Sequence, residues 1–395
     1  MRITNIKTYK FSVPTQHRKD DAASKREIYS KSKPWLFLKI ETDAGISGWG
    51  EGTGEWLVPM VEATLHDWAV LLEGQDPTQV AALTEDISNR SPWKGGPVFG
   101  TAIAAINAAL YDIAGKAWGV PVTTILGGAQ RQRVQVYGHG MRLSSPEAAL
   151  ESVQQLVDAG HRAGKGNPLE TRTWPMDHEA VELTTACVAA IRETAGDDFE
   201  ILLDAHGSPT PELSLALAHK IAPYRPLFLE EPVKVGSIEA LEEVSRKSPV
   251  PIATGEKLFT ADQFKELTDR RSCAYLQPDL VHSFGITHML WIARLAEMSQ
   301  MLMAPHNAGG PLHLAATLSF DAVIPNFLIQ EMSEFWFNMF PNYVEHDWVV
   351  ADGYISMTDR PGLGLEVKEQ DIAKLPYEPM PYRQYRHDDG SWKGW

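Results

Sequence analysis

The chain has 395 residues, 44% of them hydrophobic, and a formal net charge of −15, enough for a large core in two domains or in one barrel with an addition. The acidic balance argues against nonspecific nucleic-acid binding, which needs a basic surface. It also means that an anionic substrate needs a local positive centre, such as a metal ion. Two cysteines, Cys187 and Cys273, each alone in an apolar segment, argue against a disulfide framework. No run approaches membrane-spanning length, and the N-terminus alternates like a strand rather than a signal peptide. The expectation is a soluble, cytoplasmic protein with no membrane or nucleic-acid partner.

Ile3, Ile6, Tyr9 and Phe11 mark a first strand. The polar, charged stretch 14–34 that follows is too long for a hairpin turn; it reads as a solvated loop or a lid. "LFLKIETDAGISGWGEG" is strand, turn and strand, turning at 43–45. From Thr101 to Trp118, Ile103, Ile106, Leu110 and Ile113 keep helical spacing, and Gly119 with Pro121 ends the helix. Residues 1–130 therefore form an α+β unit. After Arg133 short apolar runs alternate with helical stretches: "VQVYGHG", "EILLDAH", "PLFLEEP", "VPIATGE", "CAYLQPD", "MLMAPHN" and "NFLIQE" are strands, and "SPEAALESVQQLVDAG", "SIEALEEVSRK" and "ADQFKELTDR" are helices. Repeated β-α units imply a parallel sheet, so residues 131–340 read as a TIM-like (β/α)8 barrel in the α/β class.

Six of these strands end in a polar residue: Asp204, Glu230, Glu256, Asp279, His306 and Glu331, at intervals of 23 to 27 residues. That interval fits one strand, one helix and two short loops of a barrel of about 250 residues. A parallel barrel brings all strand C-termini to one rim, where active sites sit. Asp204, Glu230 and Glu256 on successive strands repel one another unless a cation lies between them, and hard oxygen donors suit Mg²⁺. Glu231 competes with Glu230 in "LEEP"; strand alternation and the even spacing favour Glu230. Asp204 and His206, two apart, both face the mouth if the strand alternates through them. His306 comes from nearly across the barrel, with Asp279 placed to bond one of its nitrogens. Two histidines flanking a metal-bound carboxylate suggest proton removal α to that carboxylate on one side and proton delivery on the other, with the metal stabilising an enediolate. Lys165, Asn167 and His139 are candidate substrate contacts at the rim; for Lys165 a structural salt bridge is an equal alternative.

The motifs "FLKIETDAGISGWGE", "KGGPV", "DAHG", "YRPLFLEEPV", "GEKLF", "LQPDLVHSFGIT", "APHNAGGP", "PGLGLEV" and "RHDDGSW" resemble the mandelate racemase subgroup of the enolase superfamily over nearly the whole chain. Within it the galactonate dehydratases are most similar. The resemblance implies a modified (β/α)8 barrel under a capping domain made by the N-terminus and the C-terminal tail, with 341–395 returning to the cap. It implies a homo-oligomer with one Mg²⁺ held by Asp204, Glu230 and Glu256. It also implies His306 as base paired with Asp279, and His206 as acid for the departing β-hydroxyl. Glu331 would bond near the carboxylate of an acid sugar, and the product would be a 2-keto-3-deoxy sugar acid. Three departures stand out. The 14–34 loop is longer than usual, with His17, Arg18 and Lys19 in reach of a substrate. "RAGKGNP" lacks the Lys-x-Lys of racemases, which weakens a two-lysine epimerase. His139 has no clear counterpart. Epimerisation or cycloisomerisation of a sugar acid, and a non-catalytic sugar-acid binding protein, remain alternatives, the last opposed by all six rim positions being filled.

Overall fold

The computed structural model describes residues 1–15, 32–168, 178–381 and 390. His17, Arg18, Lys19, most of the 14–34 stretch and, apart from Gly390, the "RHDDGSW" motif lie outside the described residues. The N-terminal alternation gives an antiparallel sheet of β1 (Ile3–Pro14), β2 (Ser32–Thr42) and β3 (Ser47–Glu51). A register irregularity between Ile3 and Asn5 takes Ile3 and Ile6, three apart, into the core together. Helices α1 (Val58–Leu72), α2 (Val80–Asn89) and α3 (Pro97–Trp118) complete this unit. Close packing of α3 on β3 explains the glycines of "SGWGE". A Cβ on Gly48 would meet the Ala109 carbonyl oxygen at 2.1 Å, and one on Gly50 the Ala105 oxygen at 1.9 Å.

The expectation that no run reaches membrane-spanning length needs correction. α3 is long and apolar enough by composition, but 89% of its most apolar stretch is buried inside the protein. Composition could not separate a membrane helix from a core helix hydrophobic all round. Asp112 within it accepts backbone N–H bonds from Trp49 and Leu363, each at 2.9 Å, and pairs with Lys116.

A short α4 (Val122–Ile125) leads to the barrel. In chain order this is β4 (Arg133–Met141), α5 (Pro146–Asp158), β5 (Ala163–Gly166), α6 (His178–Ala195), β6 (Glu200–Asp204), α7 (Pro211–Ile221), β7 (Phe228–Glu230), α8 (Ile238–Lys247), β8 (Ile252–Thr254), α9 (Ala261–Arg270), β9 (Tyr275–Leu276), α10 (Ile286–Met298), β10 (Leu302–Met303), α11 (Pro311–Val323) and β11 (Gln330–Met332). Neighbouring strands are parallel from β4 to β10, β11 lies beside β4, and a Met303–Phe327 bridge closes the ring. Among the described residues no full-length helix follows β11, which is how this barrel departs from an eightfold repeat. The chain instead leaves through α12 (Glu334–Phe337), β12 (Val344–Glu345), β13 (Val350–Ala351), β14 (Tyr354–Ser356), β15 (Glu366–Val367) and α13 (Glu369–Ile372). This C-terminal segment reaches the first sheet: Lys39 pairs with Glu369 at 2.8 Å, and Ser12 N donates to the Pro376 carbonyl at 2.9 Å.

Inside the ring Tyr137, Ala163, Leu202, Phe228, Ala253, Ala304 and Ile329 form an apolar floor, separate from the larger core. With a period of two, the residue two further along faces the same interior. Those residues are His139, Lys165, Asp204, Glu230, Gly255, His306 and Glu331, so a mostly polar layer sits directly on the floor. The sheet of β1–β3 grips the rim above. Buried Glu51 accepts from Gly310 N at 2.6 Å and His313 N at 2.9 Å, at the N-terminus of α11, where unpaired N–H groups and the helix dipole favour a carboxylate. Lys33 Nζ donates to the Ala308 carbonyl at 2.6 Å.

One rim helix depends on a neutral histidine. His288 Nε2 accepts from Ala261 N at 3.0 Å, at the start of α9. Burial pushes His288 down to about 4, against the pull of Glu85 and Asp262. A histidine depressed in the folded state binds its proton first in the unfolded chain, so stability falls as pH drops from about 6.5 towards 4. His288→Gln keeps an acceptor but does not titrate. Its melting temperature should match the parent's at pH 8 and exceed it at pH 5 (both arbitrary set points, about 1.5 units either side of the histidine range), as read by circular dichroism.

Candidate active site

Three carboxylates meet at the mouth. Asp204 ends β6, Glu230 ends β7 and Glu256 lies two residues beyond β8, and their ligand atoms lie within 4.8 Å of one another. Glu230 shares its inward direction with Phe228. Glu231, with positive φ at 45°, turns aside: its carboxylate accepts from Lys257 Nζ at 2.5 Å and Thr254 Oγ1 at 3.0 Å. Lys257 also pairs with Glu256 at 2.9 Å. Sequence reasoning quoted "GEKLF" but gave Lys257 no role; its place directly after Glu256 was the available signal.

Lys165 is the centre of the layer. Buried at 6% exposure, its Nζ lies 3.2 Å from Asp204, 3.0 Å from Glu230 and 2.6 Å from Glu331, and 5.6 Å over the Tyr137 ring. Of the two readings left open for Lys165, the geometry here is the salt bridge. Glu331 is also buried and fully engaged: Oε1 meets Lys165 and His139 Nε2, and Oε2 accepts from Asn307 N at 2.9 Å. His139 thus joins the site through Glu331.

His306 follows β10. Its Nδ1 lies 2.7 Å from Asp279 Oδ2, and its Nε2 points towards Glu256 Oε2 at 3.5 Å and Glu331 Oε2 at 4.0 Å. Asp279 accepts in turn from His282 N at 3.0 Å, and the buried imidazole of His313, pushed down to about 4 by burial, lies 3.5 Å away. The His313 contact, from the first turn of α11, was not foreseen; a histidine inside an apolar helix was its only trace. Burial alone would lower His306, but Glu331, Glu256 and Asp279 together push it up to about 10.

His206 faces the triad for a different reason from strand alternation, which needs correction. β6 ends at Asp204, and His206 sits in left-handed backbone with φ 53°, followed by Gly207 at φ 68°. Asp204 Oδ1 accepts from His206 N at 2.9 Å, closing a turn in which the acidic side chain replaces a backbone carbonyl. The turn leaves His206 Nε2 3.3 Å from Asp204 Oδ2, with the side chain 36% exposed at the rim. Asn167, one residue past β5, lies 3.2 Å from His206 Nδ1.

Burial and the Asp204 charge push Glu230 well above the usual carboxylate range, while Lys165 opposes them. Among the described residues, Asp204, Glu230, Glu231, Glu256 and Glu331 face only Lys165 and Lys257 among lysines. This all-oxygen donor set with excess negative charge fits a hard divalent cation held by Asp204, Glu230 and Glu256.

The sequence matches the model for the mandelate racemase/muconate lactonizing enzyme N-terminal domain over residues 25–127 and the enolase C-terminal domain-like model over 148–371. A D-galactonate dehydratase of Variovorax paradoxus is 36% identical over 375 residues, spanning 93% of this chain and 98% of its own. A D-galactonate dehydratase of Pectobacterium atrosepticum is 34% identical, spanning 94% and 99%. Among solved structures, an enolase from Agrobacterium radiobacter, a candidate galactarate dehydratase with bound sodium and L-malate, superposes with a TM-score of 0.86 at 28% identity, covering 99% of each chain.

Saturating Mg²⁺ should raise the melting temperature, and chelation should reverse the rise, since a ligand at a hundred times its Kd stabilises by about 2.7 kcal/mol. Asp204→Asn removes one donor and some mutual repulsion. It should therefore lose the Mg²⁺-dependent rise while melting near the metal-free parent.

Proposed function

The chain belongs to the mandelate racemase and muconate lactonizing enzyme family of the enolase superfamily, and on that premise we propose that it is an Mg²⁺-dependent sugar-acid dehydratase acting on D-galactonate or a near stereoisomer. The observation that carries this reading is the pair of imidazoles on either side of the carboxylate trio: His306 backed by Asp279, and His206 at the rim beside Asp204. Residues 1–130 with 341–395 act as the cap and 131–340 as the catalytic barrel. When bound at Asp204, Glu230 and Glu256, the cation would offset the negative charge that builds on the substrate carboxylate as the α-proton leaves.

The steps belong to the side chains. His306 Nε2 takes the proton from the carbon α to the carboxylate. The electron pair of that C–H bond forms a double bond to the β-carbon, the β C–O bond breaks, and the oxygen leaves as water with a proton from His206. The resulting enol rearranges to the 2-keto-3-deoxy acid. His306 is held protonated by three carboxylates; committing Glu256 to a cation weakens that hold and moves the imidazole towards its neutral, basic form. Lys165, His139 and Glu331 set the charge beneath the substrate. A two-lysine epimerisation is not favoured, because Lys165 already pairs with Asp204, Glu230 and Glu331. The partner is a small acid sugar, and assembly as a homo-oligomer is checked by light scattering.

The histidine variants should fail differently on D-galactonate with Mg²⁺. His306→Asn should lose α-proton exchange with deuterated solvent and dehydration together, by about 10²-fold or more. His206→Asn should lose dehydration by a similar factor yet still eliminate fluoride from a 3-fluoro analogue, since fluoride leaves with less acid assistance. Unaltered turnover in both variants would remove the mechanism.

A further inference from the structure

His206 has weak support for a group that must meet a leaving hydroxyl at a set angle. Its backbone is past the strand end, and its side chain is partly exposed. Among the described residues its imidazole has two polar contacts, Asp204 at Nε2 and Asn167 at Nδ1. The Asn167 amide is assigned by hydrogen bonding. With its oxygen towards the ring, Oδ1 accepts Nδ1–H at 3.2 Å, while the nitrogen donates to the carbonyls of Pro168 at 2.7 Å and Asp204 at 3.2 Å. The opposite orientation sets nitrogen against donors and oxygen against acceptors. Pro168 disfavours helical backbone at residue 167, and Gly166 pairs with Leu203, so the extended chain carries Asn167 alongside Asp204.

We propose that Asn167 is a positioning residue for His206: its amide, anchored on two carbonyls, accepts the Nδ1–H and keeps Nε2 turned into the mouth. This rests on the dehydratase reading, in which His206 serves the leaving oxygen. It gives Asn167 a role through His206 rather than through substrate. Asp204 is committed to the cation as well, so Asn167 is the ring's dedicated partner. Misplacing a catalytic group by about 1 Å costs on the order of 10²-fold. The penalty falls on the step that needs the proton.

The test compares Asn167→Leu, of similar size without the acceptor, with Asn167→Asp, which keeps an acceptor oxygen, each checked for an unchanged melting temperature. On D-galactonate with Mg²⁺, Asn167→Leu should lower kcat about 10- to 100-fold with KM within about threefold. On the 3-fluoro analogue its kcat should stay within about threefold, and α-proton exchange should persist. Asn167→Asp keeps the acceptor for Nδ1–H but loses both anchoring N–H bonds, so it should recover part of the galactonate kcat and exceed Asn167→Leu. In ¹⁵N-labelled, substrate-free protein, the His206 Nδ1 resonance should shift in Asn167→Leu and stay near the parent's in Asn167→Asp. A raised KM at unchanged kcat, equal losses on both substrates, or an unaltered His206 spectrum would overturn the assignment. If the parent does not dehydrate galactonate, the dehydratase reading fails, and the His206 spectrum alone still decides whether Asn167 orients the ring.

Discussion

Crowding carboxylates into a water-poor barrel mouth is the constraint around which this protein is built. Each buried carboxylate loses hydration, and each neighbour of like charge raises the cost. Lys165 is the protein's own answer: one ammonium lies against Asp204, Glu230 and Glu331 and over the face of Tyr137. Lys257 does the same at the edge for Glu231 and Glu256. Among the described residues two lysines face these five carboxylates, and the push of Glu230 above the usual carboxylate range, from burial and the Asp204 charge, reflects that crowding. In the proposed reading a divalent cation and an anionic substrate are complementary parts of one electrostatic arrangement, and the cation would offset the overall acidity of the chain at the mouth.

The fold supplies that arrangement through two periodicities. Strand alternation places an apolar floor and, two residues on, a polar layer on the same interior face. The β-α repeat then brings separate strand ends to one rim. The N-terminal unit adds rigidity beside His306. Glu51 and Lys33 hold the backbone at 308–313, immediately after His306, while Glu331 holds Asn307 N. Mutating Glu51 would therefore act on His306 at a distance, through the start of α11.

Much of this was legible in the sequence because spacing along a repeat is a one-dimensional signal. The interval between polar strand ends located Asp204, Glu230, Glu256, Asp279, His306 and Glu331 before any coordinates. What spacing cannot carry is the direction of a chain after it leaves the strand. His206 was assigned to the mouth by alternation, whereas a left-handed turn fastened by Asp204 puts it there. Pairing across strands was equally hidden. Nothing in "AGKGNP" says that Lys165 meets carboxylates from β6, β7 and β11, or that Glu231 rather than Glu230 takes Lys257. The helix α3 is long and apolar enough by composition to span a membrane yet lies in the core, since composition reports apolarity and not what covers it.

The two histidines are held with unequal rigidity, and the inequality matches their tasks. His306 has 15% of its side chain exposed and a carboxylate partner, itself bonded by His282 N, that sets its ring nitrogen. In the proposed reaction the carbon that His306 deprotonates lies next to the carboxylate that every acid sugar shares, so one fixed geometry would serve. His206 stands at 36% exposure on a turn, with an amide as its ring partner. The hydroxyl that His206 would assist in that reaction lies one carbon further out, where stereochemistry begins to differ between sugars. On that proposal, discrimination among acid sugars would depend more on the placement of His206 than on His306, and the residues that orient its ring would contribute to substrate choice without touching the substrate.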